Sequence, residues 1–264
     1  MCALVLGVTA AVGLLLTSCT APQTSLTPMS APSPVPSDTP ISTPTPVSSE
    51  SATPGIRPYS LVVFGDSWPY GAHCSGCTPW PKLLAPAYQS ALGVQATLVD
   101  LTENGGTSGS LLEEFRTSDT YRDAITKADI VVINMGLNDL ESSTDQAVLK
   151  KTWSKNLEAL ASTVDELRAK QPTALRMVGV SNEYLTDGGL TDALGGSDAA
   201  AKIFATFNQV SCKVAEKHSG QCVDLRPVLN GPDGKTPADP NTQESMQRVA
   251  DAIVAKGLNH NQQR

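Results

Sequence analysis

Four short segments stand in a fixed order along this chain: Gly65-Asp66-Ser67, Gly105-Gly106-Thr107-Ser108, Gly136-Leu137-Asn138-Asp139 and Asp239-Pro240-Asn241. A serine hydroxyl becomes a nucleophile for acyl transfer once a neighbouring base takes its proton. Glycine backbone N–H groups and an asparagine side-chain amide are the donors that stabilise the oxyanion formed by such an attack. The first three segments therefore offer a nucleophile and two kinds of oxyanion donor. The fourth offers an aspartate and no histidine. Taken singly each segment has a bland reading. Gly-Asp-Ser is a turn after a strand, Gly105-Gly106 a tight turn, and Asn138-Asp139 a helix cap. Their joint order is harder to explain that way.

These segments need a scaffold that brings them together. Leu61-Val62-Val63-Phe64 is a continuous apolar run, as expected of a strand buried on both faces of a parallel sheet. Similar runs lie at 96–101, 130–135, 176–180 and 222–225. Helical stretches separate them, at 80–92, 108–127 in two pieces, 144–170, 198–218 and 243–256. In the longest, Val148, Trp153, Leu157, Leu160, Val164 and Leu167 fall near helical period. The alternation predicts a single doubly wound α/β/α sandwich on a mainly parallel five-stranded sheet, flavodoxin-like in plan. Ligands bind such sheets at the carboxyl ends of their strands. Ser67, Gly105 and Asn138 each follow a predicted strand end, so three polar segments converge on one edge.

Composition bounds the rest. Residues 1–18 form a short apolar run ending in Leu16-Thr17-Ser18-Cys19, the pattern of a secretory leader with a lipoprotein cleavage box, although no Lys or Arg precedes it. Lipid on Cys19 would anchor the chain to a membrane. Residues 19–58 are mostly Ser, Thr, Pro and Ala, with more than half of the nineteen prolines. They bury too little apolar surface to offset their ordering entropy, and are expected as a disordered tether. The expected domain is 59–257, followed by a polar tail at 258–264. This describes an exported bacterial envelope lipoprotein whose domain works, as a monomer, outside the cytoplasm. A net charge of −7 with no basic run excludes nucleic acid as the expected partner.

With Cys2 in the leader and Cys19 taking lipid, Cys74, Cys77, Cys212 and Cys222 remain, an even number in an exported chain. Of three possible pairings we favour the local one, 74–77 with 212–222. The second loop would contribute about 2–3 kcal/mol in the chain-entropy model. A redox or zinc role for Cys74-Ser75-Gly76-Cys77 lacks a thioredoxin-like context and a second ligand pair. No metal site or phosphate-binding glycine motif is evident, and no cofactor is expected.

Across the whole globular part the four segments resemble the SGNH, or GDSL-type, esterase superfamily. The resemblance implies that Ser67 is the nucleophile, with its own N–H as one oxyanion donor. It implies Gly105 as a second donor, since Thr-Ser and two leucines follow it at the family's spacing, with Gly106 as the alternative. Asn138 is then the side-chain donor, and Asp66, Trp68, Gly106 and Asp139 are expected around the substrate. Donors of this kind typically contribute about 3–4 kcal/mol each. The strained elbow of the α/β-hydrolases is a different motif, because Gly65-Asp66-Ser67-Trp68-Pro69 lacks its closing glycine.

The family's last block is Asp-x-x-His before a helix. Aligned on Pro240-Asn241, its histidine position is Asp239 and its aspartate position Thr236; aligned on the helix, the histidine position is Pro240. In a subtilisin-type triad the histidine alone is worth on the order of a millionfold in turnover. Three histidines exist. His73 lies six positions after Ser67 and is a candidate base or a surface loop residue. His218 is expected to serve helix-terminal carbonyls, and His260 lies in the tail. Asp239 is a candidate base if desolvation raises its pKa. Two readings follow: a serine esterase on small acyl esters or acylated cell-surface carbohydrate, which we favour, and a silent domain that binds acylated glycans or lipids. Trp68 and Tyr70 are candidates for a pocket lining, and Trp80 for the core. The polar stretch 183–197 reads as a long loop at the binding edge.

Overall fold

The computed structural model describes residues 57–141, 146–169, 171 and 174–258. The expected leader, Cys19, the tether up to residue 56 and His260 lie outside them. Five strands form one sheet: β1 (Tyr59–Gly65), β2 (Ala96–Thr102), β3 (Ile130–Asn134), β4 (Ala174–Val178) and β5 (Gln221–Val223). All neighbours are parallel in the order β2-β1-β3-β4-β5. The doubly wound α/β sandwich expected from the alternation is the fold observed.

Alternation of side chains along the central strands fills two cores. Val62 and Phe64 of β1 face one side with Val131 and Ile133 of β3. There they meet α3 (Ser108–Thr117), α4 (Asp119–Lys127), α6 (Gln146–Arg168) and α8 (Ser197–Lys217). Leu61, Val63, Ile130 and Val132 face the other, against α2 (Trp80–Leu92), α9 (Leu225–Leu229) and α10 (Gln243–Val254). Trp80 belongs to this second core and is fully buried. On α6, Trp153, Leu157, Leu160 and Val164 are buried as the period predicts, but Val148 is exposed. The edge strand β2 has one uncovered flank, so its residues are only partly buried, unlike those of β1 and β3.

Short helices complete the carboxyl edge: α1 (Ser67–Tyr70), α5 (Leu137–Glu141) and α7 (Gly188–Ala193). The stretch read as a long loop at 183–197 is instead a 3-10 turn at Glu183–Leu185, then α7, then the start of α8. Asp187 caps α7 by accepting the Leu190 N–H at 2.9 Å, and that cap is what its Gly- and Asp-rich composition encodes. Arg57, expected in the tether, lies on the domain and forms a two-point pair with Asp129 at 2.6 and 2.7 Å. Among the described residues no helix is long and apolar enough to cross a membrane.

Candidate active site

The first segment is built by close approach. A Cβ on Gly65 would lie 2.4 Å from Pro69 and 2.9 Å from the Asn134 carbonyl, so β1 ends in glycine because β3 and α1 crowd it. Asp66 follows as the cap of α1, accepting the Trp68 N–H at 3.2 Å and the Gly136 N–H at 3.3 Å. Its burial pushes the carboxyl up to about 6, partly offset by those two N–H bonds. Asp66 thus ties the first segment to the third, and its carboxylate is occupied by the backbone. Ser67 is the first residue of α1 and half-buried. Its hydroxyl makes no hydrogen bond among the described residues.

The second and third segments are joined directly. Asn138 donates from Nδ2 to the Gly106 carbonyl at 2.8 Å, leaving the amide's second hydrogen uncommitted by that bond. The Gly106 N–H is spent in a turn to Glu103 at 3.1 Å. The Gly105 N–H has no partner among the described residues, and Gly105 holds φ +82°. Asp139 turns away from the opening. It accepts from the Ser108 N–H at 2.9 Å and the Ser108 hydroxyl at 2.5 Å, and Asn156 donates to the same hydroxyl at 3.0 Å. Burial raises the Asp139 pKa against these bonds. Asp66 and Asp139, expected around the substrate, therefore act as buried struts beneath Ser67 and Asn138. Gly136 adopts φ +152°, and a Cβ there would lie 3.3 Å from Phe207 and 3.5 Å from Trp153, whose rings stack at 4.1 Å. Phe207 also lines a surface depression of about 130 Å³ between α6 and α8, with Lys150, Lys202, Ile203 and Thr206 and none of the four segments.

The fourth segment reaches the serine through Trp68. That indole is buried and donates to the Pro240 carbonyl at 3.3 Å, so the 239–241 turn packs against α1. Tyr70, by contrast, is 53% exposed. Asp239 is exposed, with Oδ1 accepting the Asn241 N–H at 2.8 Å, and the burial required for a desolvated base is missing there. Thr236 is exposed as well. His73 lies in the exposed turn after α1 and has no hydrogen-bond partner among the described residues. His218 ends α8, but its ring lies between Asp165 at 2.6 Å and Glu158 at 3.0 Å rather than on helix carbonyls. Partial burial works to lower its pKa, and the two carboxylates outweigh that and raise it.

One group at this edge has no counterpart in the sequence reading. Glu183 opens the 3-10 turn just past β4, and its carboxylate is bonded to the Ser181 hydroxyl at 3.3 Å. Burial pushes it up to about 7, the negative charge of Asp66 adds to that, and Asp187 and Asp239 add further, against the Ser181 bond. The signal that could have found it is the rule that found the others: Ser181-Asn182-Glu183 also follows a strand at its carboxyl end. Cys74 lies against Cys77 and Cys212 against Cys222 at bonding separation, with Cα–Cα distances of 5.3 and 4.7 Å. The first pair braces the loop after α1, and the second ties α8 to β5. Among the described residues no group of three or more His, Cys, Asp or Glu could hold a metal ion.

A parallel five-stranded sandwich with serine, glycine and asparagine segments at one edge defines a hydrolase of the SGNH type. The chain belongs to the GDSL-like lipase/acylhydrolase family, whose profile matches residues 63–243. Among solved structures it is similar to the lipase Lip_vut3 from a goat rumen metagenome, at TM-score 0.64 and 15% identity over 76% of this chain and 99% of that one. It is also similar to TesA, at 0.51 and 20% over 74% and 96%. A GDSL-like lipase from Parabacteroides merdae ATCC 43184 matches at 0.52 and 15% over 76% and 96%. At these identities the likeness is one of fold. No curated protein matches the sequence.

Proposed function

We propose that this hydrolase is a serine esterase acting on small acyl esters or on acylated carbohydrate at the cell surface. Ser67 attacks the ester carbonyl, and the oxyanion is held by the N–H groups of Ser67 and Gly105 and by the second N–H of Asn138. The observation that carries this reading is the junction of segments. Asn138 is fixed to Gly106 at 2.8 Å, while the Ser67 hydroxyl at the same strand edge is left without an internal partner. Preorganised donors that need no rearrangement are what acyl transfer uses. In this reading the chain is exported, works as a monomer, and is held to the membrane by lipid on Cys19.

A second reading has one observation behind it: Asp239 stands in the histidine position. A domain without a base would bind acylated glycan or lipid and release it unchanged. The rate on p-nitrophenyl acetate, measured with the full chain and with Ser67→Ala, separates the two. The esterase reading expects turnover that falls to the solvent background in Ser67→Ala, whereas equal rates in both proteins select the silent domain.

A further inference from the structure

We propose that Asn156 is a positioning residue of the oxyanion site, holding the second and third segments in register through the Ser108 hydroxyl. The proposal rests on the esterase reading above, because it concerns the donors which that reading assigns.

Two rungs join these segments. In the first, Asn138 donates to the Gly106 carbonyl at 2.8 Å. In the second, Asp139 accepts the Ser108 N–H on Oδ2 at 2.9 Å and the Ser108 hydroxyl on Oδ1 at 2.5 Å. Asp139 directly follows Asn138, and Ser108 stands two residues after Gly106. Ser108 is fully buried and Asp139 nearly so. A shift at the second rung is therefore passed to the first, and from there to the Asn138 amide.

Asn156 sets the direction of the second rung. A serine hydroxyl has one hydrogen and two lone pairs, and an amide nitrogen only donates. Asn156 Nδ2 lies 3.0 Å from Ser108 Oγ, so it fills a lone pair and leaves the single hydrogen for Asp139. Without that donor a buried lone pair goes unmet, and the hydroxyl is held to Asp139 alone.

The helix that carries Asn156 is the fixed reference. α6 is anchored in the core by Trp153, Leu157, Leu160 and Val164, all buried. Trp153 and Asn156 stand three apart and so share a face. The tryptophan bears on the third segment, where a Cβ on Gly136 would lie 3.5 Å from its ring. The asparagine bears on the second, through Ser108 Oγ and beside Gly109, whose Cβ would lie 3.6 Å from Asn156 Nδ2. One helix face thus meets both segments, by packing at one and by a hydrogen bond at the other. Asparagine is a weak helix former, and beside the buried Leu157 an alanine or leucine would serve the helix better. A residue that goes against local propensity marks a specific contact.

An oxyanion donor is worth most when it is already aimed at the forming charge. Loss of its support should therefore appear in kcat and leave KM nearly unchanged.

The test measures kcat and KM on p-nitrophenyl acetate for the full chain, each variant assayed below its melting temperature. Asn156→Leu is expected to lower kcat by about 10–100-fold with KM little changed, the scale of a displacement of about 1 Å in a reacting geometry. The same change made in the Asn138→Ala protein should cost less than about threefold, because residues that act as a unit are not additive. Asn156→Asp keeps the shape and removes the donor, so its kcat should fall as well. Its rate relative to wild type should climb again as pH falls, since a protonated carboxyl can donate to Ser108 Oγ. A packing role alone would leave Asn156→Asp near wild type at every pH. Asn156 variants that keep the wild-type kcat, or that lose as much with Asn138→Ala as without it, overturn the assignment while Ser67-dependent turnover still stands. A loss confined to KM overturns it too. A wild type whose rate equals that of Ser67→Ala overturns the esterase reading, and the positioning role with it.

Discussion

Two halves of the carboxyl edge have been treated differently. Around Ser67 the contacts are buried and mutually supporting: Asp66 bridges to Gly136, Asn138 to Gly106, and Asp139 to Ser108. Around residue 239 the turn still reaches α1 through Trp68, yet Asp239 and Thr236 are exposed where a histidine and its orienting aspartate belong in the family. The difference teaches that the proposed nucleophile and oxyanion donors sit at strand ends that the fold needs anyway. In the family the base belongs to a terminal loop, which can change without disturbing the sheet. The neighbouring β4 exit shows the reverse pattern, with dense buried bonding beneath a half-buried carboxylate.

If the first half is a working oxyanion site, Asn138→Ala should show the largest effect of any substitution away from the serine and its base. One donor of this kind is worth about 10²–10³ in kcat, read as kcat on p-nitrophenyl acetate with KM nearly constant. A rise in KM at unchanged kcat would instead assign Asn138 to ground-state binding, and the contrast between the halves would weaken.

The stability of the fold should record the cost of these carboxylates. Asp66 and Glu183 bind protons in the folded state up to about 6 and about 7, above the unfolded values of 3.8 and 4.5. Between those values the folded state therefore holds more protons than the unfolded one, and stability falls as pH rises. Raised His218 acts in the same direction, its stabilisation being lost as pH climbs through its folded pKa. Asp129 and Glu158, both lowered, act oppositely and only in more acid solution. The urea midpoint is thus expected to drop from about pH 5 to about pH 8, and less steeply in Glu183→Gln. An unchanged slope in that variant would mean Glu183 is solvated like a surface carboxylate.

The smallest effect is expected from His73→Ala. The side chain is exposed and without a hydrogen-bond partner among the described residues, so kcat should stay near wild type. A loss of about 10²-fold or more would instead place the base in the Cys74–Cys77 loop.

Much of this was legible in the sequence because the signals are local. Leu61 to Phe64 and Ile130 to Ile133 could only be buried strands, and the segments after them inherit their place from the sheet. The last two strands come out shifted by one or two residues. Asp224 leaves β5 to cap α9 through the Arg226 N–H at 3.0 Å, and caps compete with strand ends in ways that hydropathy does not record. The 183–197 region was misread because polar, glycine-rich composition hid two short helical elements. The strand-end rule could have marked Ser181-Asn182-Glu183, but the buried amides of Asn134, Asn208 and Asn230 that fix this exit are far apart in sequence and meet only in the folded chain.

The most direct measurement is turnover of p-nitrophenyl acetate by the full chain beside Ser67→Ala, with pre-steady-state mixing to look for an acyl-enzyme burst. The account predicts steady turnover in wild type, acetyl recovered on the Ser67 peptide, and neither in Ser67→Ala. Equal rates in the two proteins, with no acyl group on Ser67, would contradict it.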